Sequence, residues 1–137
     1  MTLYADTSSL VKLYIDEAGS DRVRALVGRA DLVATSSITY AEVRSTLARC
    51  HREKRVTTAE YAGMKRRFRR DWSTFLSISA NDLVAAEAGD LAEQHALYGC
   101  DAIQLASFVQ VLQTIDDDEV EFSSYDERLN QAARTLG

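Results

Sequence analysis

The stretch YADTSSLVKLYIDE, Tyr4 to Glu17, decides how this chain is read. An apolar run, Leu3 to Ala5, stops at a carboxylate, Asp6, and three hydroxyl residues follow, Thr7, Ser8 and Ser9. After them Leu10, Val11, Leu13 and Tyr14 recur at helical spacing. A buried strand therefore hands over to a helix, with a charge at the junction. Working outward, three more short strands are expected, at Leu32–Ser36, at 75–79 and at 120–124. Helical patterns lie between them: Val23, Leu26 and Val27 on one face, then Thr39 to Glu53, Thr57 to Trp72, Asn81 to Leu97, Asp101 to Gln113 and Asp126 to Leu136. Strands alternating with single or paired helices imply a parallel sheet covered on both faces.

The bulk composition agrees with a folded domain. Hydrophobic residues make up 46% and charged residues 27% of 137, which excludes a disordered chain. That length suits one domain, expected over 1–137. No apolar run is long enough to span a bilayer, and the N-terminus lacks the layout of a signal peptide, so a cytoplasmic location is the expectation. Cys50 and Cys100 are too few for a disulfide framework and are expected reduced and partly buried. His51 and His95 show no zinc-ligand spacing.

Charge is unevenly placed. The net charge is −5, yet residues 44 to 70 hold ten basic residues against Glu53 and Glu60, a local +8 that leaves −13 elsewhere. A basic pole of this kind meets phosphates, or it simply solubilises an exposed helical hairpin. On charge alone the two readings stand level. The acidic run Asp116 to Glu119 reads as a solvated loop.

Four acids stand at or near helix starts: Asp6, Glu42, Asp101 and Asp126. Taken singly, each reads as a cap, because a carboxylate accepts bonds from unpaired backbone N–H groups. Thr39 to Glu42 has the form of a capping box. Jointly they read differently. Parallel strands all end at one edge of the sheet, where sites form. Asp6 ends the first strand, Glu42 lies a turn past the second, and Asp126 follows the fourth. Crowded carboxylates repel one another unless a cation intervenes, and oxygen ligands suit Mg²⁺ or Mn²⁺. Periodicity alone does not bring Asp101 to that rim.

These segments resemble the motifs of PIN-domain ribonucleases, in particular the VapC-type toxins of toxin–antitoxin pairs. YADTSSLVKLY is similar to the opening strand and first acid, SSITYAEVRSTLAR to the glutamate motif, LYGCDAIQLAS to the third motif and FSSYDERLNQAA to the fourth. The ordered set spans Leu3 to Ala133. The resemblance implies a three-layer α/β/α fold around a parallel sheet of four strands, with a fifth at most vestigial near Gly137, and an Arg-rich hairpin. It makes Asp6, Glu42, Asp101 and Asp126 the catalytic, metal-holding quartet, with Asp6 and Asp101 on the main Mg²⁺ (or Mn²⁺). Ser124, Thr7 and Ser8 match its polar positions around the acids. Metal-dependent endoribonuclease activity is implied, leaving a 5′-phosphate and a 3′-hydroxyl on tRNA or rRNA.

The same resemblance implies a homodimer and a VapB-like antitoxin, whose helix would lie along the first helices and the hairpin. Tyr61, Met64, Phe68 and Trp72 are candidates for such contacts, against the plainer reading that Phe68 and Trp72 pack inward. Arg44, Arg49, Arg52, Arg66, Arg67 and Arg70 are candidate RNA contacts. Tyr98 departs from the family pattern, where a basic residue often precedes the third acid. Phosphatase and receiver chemistry built on an Asp would need a later lysine, and the last one here is Lys65. The competing reading is a non-catalytic RNA-binding or protein-interaction module of the same fold.

Overall fold

The computed structural model describes residues 1–136. Four strands, β1 (Thr2–Ala5), β2 (Leu32–Ser36), β3 (Leu76–Ile78) and β4 (Val120–Ser123), form one sheet in the order β3-β2-β1-β4. All three pairings are parallel. Every residue of β1 is buried, as befits the strand with neighbours on both sides. Gly137, where a vestigial fifth strand is expected, lies outside the described residues.

The helices cover both faces and make three layers. Alternation along β1 sends Leu3 and Ala5 to one face and Tyr4 to the other. On the first face pack α1 (Thr7–Leu10), the 3₁₀ turn Val11–Leu13 that continues it, α2 (Ser20–Arg29), α3 (Ile38–Arg52) and α4 (Thr58–Trp72). On the second pack α5 (Asp82–His95), α6 (Gly99–Thr114) and α7 (Glu127–Arg134). Tyr4 anchors the second core by stacking on Phe122, with ring centroids 5.7 Å apart, while Phe108 packs 4.8 Å from Phe122.

The basic hairpin is α3 and α4, and its apolar residues turn inward. Phe68 is fully buried and meets Tyr14 edge-on at 5.3 Å, and Met64 is buried beside it. Trp72 and Tyr61 are half-buried against the same cluster. Met64 and Phe68 are thus core residues, closed to any partner. The hairpin's corner is a Schellman turn: Lys54 N–H donates to the His51 carbonyl and Arg55 N–H to the Cys50 carbonyl. Lys54 takes the left-handed conformation there, at φ 58°.

Two details of the sequence reading are corrected. Thr39 forms no capping box, because α3 begins at Ile38 and Thr39 is buried with its hydroxyl bonded to Thr35. The reciprocal box occurs at α4, where Thr57 and Glu60 exchange side-chain-to-backbone bonds of 2.9 and 3.1 Å. Cys50 is buried as expected, but Cys100 is exposed in the first turn of α6.

The chain crosses to opposite sides of β1 to place β2 and β4. In an open parallel sheet this reversal leaves a crevice beyond the strands' C-terminal ends. Asp6 stands at that crevice, immediately after β1.

Candidate active site

Each acid reaches the crevice on a different element. Asp6 caps α1, its Oδ1 accepting from Ser9 N–H at 3.1 Å. The same oxygen accepts from the Ser8 hydroxyl at 2.7 Å, and Oδ2 accepts from the Ser124 hydroxyl at 2.6 Å. The carboxylate is therefore gripped from two distant parts of the chain. Ser124 in turn accepts from Asp126 N–H at 3.0 Å, while Asp126 Oδ1 caps α7 by accepting from Leu129 N–H at 2.9 Å. A helix cap and a place on the rim are not alternatives for Asp6 and Asp126; each carboxylate caps its helix and also faces the crevice.

Glu42 projects from the second turn of α3. Its Oε1 accepts from the Thr7 hydroxyl at 2.6 Å and from the Gln104 amide at 3.3 Å. Asp101 lies in the first turn of α6, near the positive end of the helix, rather than at the cap itself, which is Tyr98. A hollow of about 290 Å³ is lined by Tyr98, Asp101, Asp126 and Arg128.

The electrostatics tie the four acids together. Burial lifts the Asp6 carboxyl to about 6, against the pull of its three hydrogen bonds, and the charge on Asp101 adds to the lift. Asp101 is also raised, by partial burial first and then by the charges of Asp126 and Glu42. Among the described residues no Lys, Arg or His forms an ion pair with any of the four. Nor, among those residues, do three Asp, Glu, His or Cys side chains stand close enough to make a ready-formed metal cage. The acids line a rim rather than closing into a ring. An uncompensated, oxygen-only set of this kind fits a hard divalent cation.

Thr7, Ser8 and Ser124, singled out from the sequence, all hydrogen-bond to the acids. Gln104 is the residue that sequence reasoning missed. It is buried, accepts from the Tyr4 hydroxyl at 2.6 Å, and donates to Thr39 at 2.9 Å as well as to Glu42. Its signal was a polar residue amid Ala102, Ile103, Leu105 and Ala106, one turn after Asp101.

The six candidate arginines do not gather. Arg49 lines a groove that also contains Thr7 and Ser8. Arg66 and Arg70 line a hollow on the outer side of α4, and Arg67 and Arg70 line another with Tyr14 and Asp71. Arg44 donates to the Tyr40 hydroxyl, and Arg52 is exposed near the end of α3.

The fold and the acidic crevice define a class. The PIN domain model matches residues 3–134, and the chain belongs to the PIN-domain family, among its VapC-type members. Ribonuclease VapC45 of Mycobacterium tuberculosis is 34% identical over 135 residues, 98% of this chain and 91% of its own. Among solved structures, VapC20 of the same organism, described as a sarcin-ricin loop cleaving toxin, superposes with a TM-score of 0.69 at 17% identity, covering 95% of this chain and 94% of that one. A toxin-antitoxin complex from Klebsiella pneumoniae gives 0.64 at 24% identity, covering 92% and 87%. Family members in general depend on a divalent metal. Among the described residues no helix is long and apolar enough to cross a membrane.

Proposed function

We propose that this chain is a metal-dependent endoribonuclease, the toxin of a type II toxin–antitoxin pair, carried by one domain over 1–137. The observation that carries the reading is the rim itself: four carboxylates from four separate segments, none of them in an ion pair with a Lys, Arg or His among the described residues. Mg²⁺ or Mn²⁺ is the proposed ion, with Asp6 and Asp101 as main ligands and Glu42 and Asp126 completing the set. Bound there, such an ion supplies a more acidic water and offsets charge developing on the phosphate.

The rest of the chemistry falls to the chain's own groups. Ser8 and Ser124 each donate to a different oxygen of Asp6, so the buried carboxylate is held in one orientation. Thr7 and Gln104 do the same for one oxygen of Glu42. Such bonds fix the direction in which charge faces the substrate. The substrate class is tRNA or rRNA. A homodimer, a VapB-like antitoxin and a cytoplasmic setting complete the proposal. The antitoxin is supported by the Klebsiella relative, which is itself a toxin-antitoxin complex.

Incubation with a total tRNA and rRNA pool, in Mg²⁺ and in EDTA, tests the reading. Cleavage is expected in Mg²⁺ alone, and Asp101→Asn is expected to abolish it while the circular dichroism spectrum stays unchanged. Cleavage by Asp101→Asn at the normal rate would sink the metal-site assignment. Salt-sensitive RNA binding with no cleavage in either buffer would instead favour the non-catalytic module.

A further inference from the structure

Two recesses adjoin the acidic rim, and they share no lining residue. One is a groove of about 370 Å³ that begins at Thr7 and Ser8 and contains Lys12, Arg49, Arg55 and Tyr125. The other is the hollow holding Tyr98 and Arg128 beside Asp101 and Asp126. Ser8 touches Asp6 on one side of the rim, and Tyr98 sits three residues before Asp101 on the other.

The cations of the groove are not equivalent. Lys12 is committed: its ammonium donates to Glu17 at 3.1 Å and to the Ala18 carbonyl at 2.8 Å, and lies 4.4 Å from the centre of the Tyr125 ring. Tyr125 is a fixed wall, since its N–H donates to Ser8 at 2.8 Å and its ring rests against Gly19. Arg49 and Arg55 form no ion pair among the described residues. Arg55 is carried there by the Schellman turn, whose bond to the Cys50 carbonyl fixes its backbone. Two uncommitted guanidiniums beside a row of carboxylates give a polyanion a point of attachment that the acids themselves deny it.

The hollow offers the complementary chemistry. Tyr98 is 80% exposed, the most exposed of the large hydrophobic side chains, and its backbone is held by the bond from Ala102 N–H to its carbonyl at 2.9 Å. A ring presented in this way beside a phosphate-processing rim is a platform for a nucleobase. Arg128 shares the hollow, with one nitrogen already donating to the Ala96 carbonyl.

We infer that single-stranded RNA crosses the rim, lodging backbone phosphate on Arg49 and Arg55 in the groove and stacking a base on Tyr98 in the hollow. The inference rests on the ribonuclease reading and deepens it by naming the residues that choose and place the strand. Arg49 and Arg55 set affinity, and Tyr98 positions the base that stands next to the cut.

The test is steady-state cleavage of a fluorescein-labelled single-stranded RNA 12-mer in Mg²⁺, with wild type, Arg49→Ala/Arg55→Ala, Arg49→Lys/Arg55→Lys, Tyr98→Ala and Tyr98→Phe. The double alanine variant is expected to raise KM about tenfold or more with kcat within about twofold. Its log KM should also respond less to log salt, by a slope of about 1.4 for two lost phosphate contacts. The lysine pair should recover most of this. Tyr98→Ala should lower kcat/KM about 5- to 150-fold, the range of one lost stacking contact, and redistribute the cut sites, and Tyr98→Phe should restore both. If wild type cuts while both alanine variants keep its KM, salt slope and cut sites, the clamp is overturned and the ribonuclease reading stands. If wild type cuts no RNA in Mg²⁺, the ribonuclease reading falls and takes the clamp with it.

Discussion

Asp6 carries its charge where water scarcely reaches, at 4% exposure, and that isolation has a measurable signature. Its folded carboxyl titrates at about 6 against 3.8 for an ordinary one, so between those values the folded form binds more protons than the unfolded form. The resulting stabilisation is whole below pH 3.8 and is lost as pH rises through about 6. It amounts to about 3 kcal/mol, at 1.36 kcal/mol per unit. In EDTA, Asp6→Asn is therefore expected to raise Tm by several degrees at pH 7.5, and to flatten the decline that wild type shows between about pH 4 and 6.5. Scanning calorimetry at four pH values measures both; a lower Tm for the variant at pH 7.5 would contradict the account.

Gln104 makes the opposite case, a neutral group whose loss is costly. Replacing it with Leu strands the buried Tyr4 hydroxyl and leaves Glu42 held by Thr7 alone, at about 1–3 kcal/mol for the unpaired group. Urea denaturation should show that loss, and cleavage should fall with it. At this scale the sequence revealed where the acids were but not whether each was a cap or a ligand. The chemistry of a helix N-terminus and of a metal ligand asks for the same side chain. Only distance separates the two, and for Asp6 and Asp126 the distances allow both.

Among the elements, the α3–α4 hairpin shows what periodicity can and cannot disclose. Both helices were legible, because an apolar stripe at helical spacing is what a helix half-sunk in a core requires. Their corner was legible too, but not its conformation. Lys54 adopts a left-handed backbone that costs a side-chain-bearing residue about 1 kcal/mol. Lys54→Gly is expected to stabilise the protein by up to about 1 kcal/mol, less what glycine adds to unfolded-chain freedom, seen as a higher urea midpoint at constant m. Thr57→Ala removes half of the capping box and should cost about 1 kcal/mol. Thr39 misled because a capping box is only a spacing. Its hydroxyl is drawn into the core to join Thr35 and Gln104, contacts that span too much sequence to be read locally.

For the molecule as a whole, the sheet order does what no single segment announces. With β1 central, Asp6 and the β4–α7 junction become neighbours, and Ser124 closes on a carboxylate 118 positions away. Strand alternation predicted that three acids would share a rim. Asp101 needed the family resemblance, since a helix start far from its own strand carries no marker of where it docks. A cation that satisfies the rim binds only the folded form, so Mg²⁺ should raise Tm at pH 7.5 with a saturating concentration dependence. Asp101→Asn should weaken that response markedly; an undiminished Mg²⁺ shift in this variant would place the ion elsewhere.

The hydroxyl of Ser124 on Asp6 has a bearing on the moment of synthesis. A chain emerging from the ribosome displays Asp6 before Ser124, and β1 lacks its second neighbour, and Asp6 its outer restraint, until the segment around Ser123 to Asp126 has cleared the exit tunnel. A copy translated only as far as α6 consequently has Asp6 held by Ser8 and the Ser9 N–H alone, with one carboxylate oxygen still unrestrained.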